Sequence, residues 1–208
     1  MLQHAPWVGP NYKTGINGQR ICIVGYSHHH GTGESDSEDF TQYVVGRFIN
    51  GTLGRNSFFL PIGGYFGLPD NATFWNHVVF FNFLPDVIGN TDNKYGTGET
   101  DRIAQGKERF LRIIREAKPN LEKVFVFTTK GWRDFPRTIE EESGKEKIPL
   151  GTGFPKFSWG TYAAGDHTVM AFGLRHPQGA PANLMKSAVR QILDKPLIES
   201  TARNRLVS

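Results

Sequence analysis

Residues 20–31 join a short apolar run (Arg20-Ile21-Cys22-Ile23-Val24) to side chains that can hold water, bind a ligand or move a proton. Behind Gly25 and Tyr26 come the Ser27 hydroxyl and the imidazoles of His28, His29 and His30, closed by Gly31. Three later places share this form. Asn82 ends the apolar stretch 77–82, Thr128-Thr129-Lys130-Gly131-Trp132 closes 123–128, and Arg175-His176-Pro177-Gln178-Gly179 closes 168–174. Proton transfer by histidine, amide hydrogen bonding and nucleophilic chemistry at a hydroxyl are all available to such a set.

To act together, these groups need a scaffold that brings four chain segments to one place. The apolar runs lack a two-residue alternation and are rich in β-branched and aromatic residues, which predicts strands covered on both faces, as in a parallel sheet. Ligands of open α/β sheets bind beyond the carboxyl ends of such strands. Between the runs lie segments of helical spacing. Ile103, Phe110, Ile113 and Ile114 mark one face of 101–118, with Lys107, Arg109, Arg112 and Arg115 mostly on the other, and Pro119 stops it. Residues 39–49 and 181–193 are further helices, the last with a proline in its first turn. The expected fold is α/β: a three-layer αβα sandwich around a central, mainly parallel four-stranded sheet. Gly-rich, weakly apolar segments 89–100 and 134–157 are expected as long surface connections. Gly96-Thr97-Gly98 and Gly151-Thr152-Gly153 neither follow a strand directly nor complete a nucleotide-binding fingerprint, and are taken as turns.

The 208 residues, 38% of them hydrophobic, suffice for one core, so 1–208 is expected to be a single domain. No run of about eighteen apolar residues exists to span a membrane, and residues 1–11 lack a basic start and an apolar signal core, which predicts an intracellular, cytoplasmic protein. The single cysteine, Cys22, leaves no disulfide framework and no four-cysteine iron–sulfur cluster, and reads as a small core residue. Three neighbouring histidines invite a metal, but adjacent side chains on an extended loop diverge and need a remote partner such as His77; no metal is expected. A nucleophile elbow fails because His29 stands where that pattern needs glycine. The net charge of +4 is compatible with a polyanionic partner and common without one. Lys186 and Arg190 either contact phosphates from the last helix or form an ordinary solvated face.

In their order, these features resemble the uracil-DNA glycosylase superfamily: a strand leading into Gly25-x-x-x-x-x-Gly31, Phe74-Trp75 before a strand ending at Asn82, a strand leading to Lys130-Gly131-Trp132, and a strand leading to His176-Pro177. Trp7-Val8-Gly9-Pro10-Asn11-Tyr12 followed by Val24-Gly25-Tyr26-Ser27-His28 is similar to a bacterial and phage branch whose first motif reads Gly-Glu-Ser-His-Tyr. The resemblance covers roughly residues 7–195 and implies an enzyme that extrudes a base from DNA and hydrolyses its bond to deoxyribose, without a cofactor and as a monomer.

In the family the histidine of the His-Pro motif donates to the base oxygen that gains charge, here His176; the alternative is a capped turn. Asn82 matches the base-reading asparagine, against a buried amide bonded to nearby backbone. Gly25, Tyr26 and His29 complete the base pocket, with Phe58, Phe59, Tyr65 and Phe66 as candidates for a stacking wall. Lys130, Gln178, Gly179, Asn183, Lys186 and Arg190 are the expected DNA contacts, and Leu184 or Pro181 the only apolar wedge after His176. The first motif departs from the best-known members: Ser27 replaces their water-activating aspartate and His29 their tyrosine gate. His28, His30, Glu34, Asp36 or Asp39 must then take over, or the chemistry differs. That altered gate suits a deaminated purine or a bulky modified pyrimidine, the latter as a defence against phage DNA. A lesion-binding protein without turnover and a Ser27–histidine hydrolase of small molecules are the rival expectations.

Overall fold

The computed structural model describes residues 3–28, 36–68, 70–87, 99–136, 143–147 and 156–198. In chain order the elements are β1 (Trp7–Val8), β2 (Ile21–Gly25), α1 (Phe40–Ile49), α2 (Phe59–Tyr65), α3 (Asn71–Trp75), β3 (Val78–Asn82), α4 (Glu99–Glu116), β4 (Lys123–Val126), α5 (Thr129–Asp134), β5 (Ser143–Lys147), β6 (Lys156–Ala164), β7 (His167–Gly173) and α6 (Ala182–Asp194).

The four apolar runs form the parallel heart of the sheet in the order β3-β2-β4-β7. Every residue of β2, β3 and β4 is buried, as their unbroken apolar character requires. Successive side chains point to opposite faces. Ile21, Ile23, Phe80, Phe125 and Phe172 pack with residues of α1, α2, α3 and α6. Cys22, Val24, Phe81, Val126 and Ala171 pack on the other side with Phe110, Ile113 and Ile114 of α4. The expected three layers are present, and Cys22 is a fully buried core residue.

The sheet is wider than expected, with seven strands among the described residues instead of four. β1 adds antiparallel to β3, β6 adds antiparallel to β7, and β5 pairs with β6 at the far edge. The stretch 134–157 therefore holds β5 and the start of β6, where a surface connection was expected. Ser-Gly-Lys-Glu-Lys has no apolar alternation because β5 is an edge, where charge blocks further pairing. The hairpin is tied to α6 by Lys195, which pairs with Glu146 at 2.6 Å and lies 4.7 Å from the Trp159 ring centroid. Residues 88–98 and 148–155, which include both Gly-Thr-Gly turns and most of 89–100, lie outside the described residues.

Two buried cations serve the architecture. Lys123, on β4, donates to the carbonyls of Ile192 (2.9 Å), Leu193 (2.7 Å) and Lys195 (2.7 Å), satisfying the carboxyl end of α6 and complementing its dipole. Lys123→Met is expected to cost about 2–4 kcal/mol, read as a lowered denaturant midpoint, because three carbonyls lose their donor. Arg109 departs from the expected solvated face of α4: it is only 2% exposed. Its guanidinium donates to the carbonyls of Asn82 and His4 and lies 5.1 Å from the Phe81 ring centroid, so both terminal nitrogens are engaged inside the protein. Burial and the nearby charge of Arg112 pull its pKa down to about 10. No helix among the described residues is long and apolar enough to cross a membrane.

Candidate functional site

Because β2, β3, β4 and β7 are parallel and in register, their carboxyl ends share one edge: Gly25 lies beside Asn82, Val24 beside Val126, and Val126 beside Gly173. The chain moves from β2 to β3 on one side and then to β4 on the other, which opens a crevice at the end of β2. A cavity of about 640 Å³ occupies it, lined among others by Ser27, Asn56, Phe58, Asn82, Lys130 and His176. A second hollow of about 720 Å³ lies between residues 3–12 and α4. Its buried cation, Arg109, is already committed to two carbonyls, and the groups with chemistry to offer converge on the first cavity.

Asn82 ends β3 and is 5% exposed. Its backbone is held from behind by Arg109, while its carboxamide makes no hydrogen bond to a described residue and faces the cavity that it lines. Gly25 makes this possible, since a Cβ there would sit 2.1 Å from Asn82 Oδ1 and 3.3 Å from the Phe58 ring. The glycine is needed for close approach.

His176 stands at the cavity mouth, beyond the end of β7, with its ring centroid 5.5 Å from that of Phe58. The Gln178 backbone N–H donates to His176 Nδ1 at 3.1 Å, in a turn completed by Gly179 at φ 78°. Nδ1 is therefore unprotonated, and the neutral ring carries its proton on Nε2, a donor. Burial pushes the His176 pKa below the ordinary histidine value, favouring that neutral form.

Ser27 lines the cavity, and its hydroxyl is not hydrogen-bonded to any described histidine, so no serine–histidine nucleophile is assembled among the described residues. His28 forms part of the inner wall. It is 7% exposed, its Nε2 lies 3.1 Å from Thr41 Oγ1, and its ring packs against His4 (5.3 Å) and Phe40 (5.2 Å). Of the carboxylates expected near the first motif, Asp36 pairs with His4, and Asp39 accepts from the Ser37 hydroxyl at 2.6 Å. Neither lines the cavity, and no described residue that does is acidic. His29, His30 and Glu34 lie outside the described residues. Among the described residues no three His, Cys, Asp or Glu side chains are grouped to hold a metal ion.

The expected stacking wall narrows to Phe58. Phe59 touches the cavity, but its ring is built into the core against Phe48 (5.3 Å) and Trp75 (4.9 Å), and Tyr65 and Phe66 are core residues as well. Tyr26 and Lys130 meet on the wall, with Lys130 Nζ 5.0 Å from the Tyr26 ring centroid. Lys130 belongs to α5, which Thr128 starts by accepting from the Gly131 N–H at 3.1 Å. Gln178 also lines the cavity, and Gly179 is exposed beside it. Asn183, Lys186 and Arg190 are exposed on α6, outside the lining. Leu184 is a buried core residue and cannot serve as a wedge; Pro181 is exposed.

No family model matches the chain, and no curated protein is significantly similar to it.

Sequence spacing gave no hint of Asn56 or of Arg109. Asn56 precedes a helix weakened by Pro61, Gly63 and Gly64, and an Asn at a helix start was the one available signal. Arg109 reads as one more surface charge until β3 is placed against α4.

Proposed function

We infer that this protein is a DNA glycosylase of the uracil-DNA glycosylase type. It takes a damaged or modified base, extruded from DNA, into the cavity and hydrolyses its bond to deoxyribose. The observation that carries this reading is the pairing, in one cavity, of an uncommitted Asn82 carboxamide with a His176 ring whose Nδ1 is occupied and whose Nε2–H is left to donate. An amide offers a base edge both a donor and an acceptor, and the Phe58 ring offers it a stacking face.

In the reaction, the bond between C1′ and the base nitrogen breaks and its electron pair leaves with the base. His176 Nε2–H donates to the base oxygen that gains charge, a contribution of about 3–4 kcal/mol when water is excluded. A water oxygen then joins C1′, and its released proton balances the departing base anion. Ser27 holds this water by its hydroxyl. No described lining residue is acidic, so among the described residues the rate enhancement comes from stabilisation of the leaving base by His176. The cationic contribution of Lys130 at the cavity, and of Lys186 and Arg190 on α6, suits the phosphate backbone. The protein acts on DNA as a monomer in the cytoplasm.

The test is incubation with single-stranded and duplex oligonucleotides carrying uracil, hypoxanthine, xanthine or a bulky 5-modified cytosine, followed by alkali. Strand scission at the modified position supports the reading, and an intact strand from every substrate overturns it.

A pH dependence follows. The donor form of His176 is neutral, and its folded pKa lies below the ordinary 6.5, so acid must go further than usual to protonate it. Protonation would turn Nδ1 into a donor facing the Gln178 N–H and break that contact. The rate of base release is expected to stay level as pH falls to about 6.5 and to decline only below it. Stability follows the same sign, because the unfolded chain takes up the proton first and acid therefore favours unfolding. A single-turnover pH profile whose acid limb is centred above that value would contradict the assignment.

A further inference from the structure

The α2 side of the cavity carries a donor that the reaction above does not use. Asn56 Oδ1 accepts from the backbone N–H groups of Phe58 (2.9 Å) and Phe59 (3.0 Å), and the Asn56 carbonyl accepts from the Leu60 N–H at 3.1 Å. Two N–H donors converging on one amide atom identify it as oxygen, so the opposite end of the side chain is the NH₂ group. Asn56 lines the cavity, and no described residue accepts from that NH₂. Starting the helix consumes the acceptor half of the amide. The donor half is left at the cavity wall, next in sequence but one to Phe58, with its orientation fixed by two hydrogen bonds.

The charged and imidazole groups of the lining have the same character: His176 Nε2–H and Lys130 Nζ are donors and no described lining residue is acidic, while the Asn82 carboxamide and the hydroxyls of Ser27, Ser57 and Thr129 can both donate and accept.

We propose that Asn56 is a specificity-determining residue whose NH₂ donates to an exocyclic oxo oxygen of the bound base and discriminates against an amino group at that position. This rests on the glycosylase reading and adds to it the residue that tells oxo from amino at one position of the base. A buried donor facing an amino group is left unpaired, and that mismatch penalises the wrong substrate more than a lost contact would.

The test compares wild-type protein with Asn56→Asp on oligonucleotides carrying uracil or cytosine, and hypoxanthine or adenine, each pair differing by oxo against amino. Aspartate keeps an oxygen for the Phe58 and Phe59 N–H groups and is itself a favoured residue at a helix start, so the melting temperature should be retained. It replaces the NH₂ by an acceptor. The ratio of oxo-base to amino-base excision is expected to fall by about 30-fold or more. Asn56→Ser retains a capping oxygen without any NH₂ and should lower the same ratio about tenfold; it provides the reading if the aspartate variant does not fold. A ratio unchanged in the folded variants, including a uniform loss on both members of a pair, overturns the proposal while leaving the glycosylase reading intact. Wild-type protein that releases none of the four bases overturns the proposal, and one that also leaves xanthine and the 5-modified cytosine in place overturns the glycosylase reading with it.

Discussion

Replacing His176 by alanine is expected to slow base release about 100- to 1000-fold under single-turnover conditions, the usual effect of deleting one donor aimed at developing negative charge. The structure separates this loss from unfolding. His176 is at the exposed mouth of the cavity, outside the core clusters, and the contacts that would be lost are the Gln178 N–H bond at 3.1 Å and the face of Phe58. The melting temperature should therefore move little, since surface replacements of this kind change stability by about 0.5 kcal/mol. His176→Gln, which restores an N–H donor on a flexible stem, should recover part of the rate. Equal rates for wild-type and alanine proteins would show that the leaving base is stabilised elsewhere.

The second large effect is expected from one added methyl group. In Gly25→Ala the new Cβ falls 2.1 Å from Asn82 Oδ1 and 3.3 Å from the Phe58 ring, so the carboxamide must leave its position. Gly25 is not among the residues of positive φ, and alanine meets no backbone penalty there. The consequence is thus concentrated on the Asn82 carboxamide. A displacement of this size at a positioning group costs about 100-fold in rate, with a smaller change in melting temperature. Asn82→Ala in the Gly25→Ala background should then add little, because the first change has already removed what the second deletes. Full activity of Gly25→Ala would mean that the Asn82 carboxamide is not required where it stands.

Much of this architecture is legible in the sequence, for identifiable reasons. The four central strands announce themselves because burial on both faces leaves their interiors apolar, as in Val78-Val79-Phe80-Phe81 ahead of Asn82. α1, α4 and α6 are long enough to show a helical period. α2, α3 and α5 have only five to seven residues, too few for periodicity to register. The β5–β6 hairpin escapes because its outer strand is polar on an edge. At the site, Asn82 and His176 stand out in the sequence because Asn82 ends one buried strand and His176 lies three residues beyond another. The roles of neighbours were not: Leu184 continues the apolar face of α6 into the core, and Asp36 is drawn to His4, a partner 32 positions away. Which of two like residues faces a cavity depends on tertiary contacts. Phe58 and Phe59 are adjacent in sequence, yet one meets His176 and the other Trp75.

The central claim is that the ends of β2, β3 and β7 form a chamber that cleaves the glycosidic bond of an extruded base. Its most direct test is mass-spectrometric detection of free base released from a pooled set of modified oligonucleotides by wild-type protein, His176→Ala and Asn82→Ala side by side. The account predicts that wild-type protein liberates a free base while leaving an equimolar abasic strand, and that both variants lose this release by about 100-fold or more. No free base from wild-type protein, or equal release from all three, would contradict it.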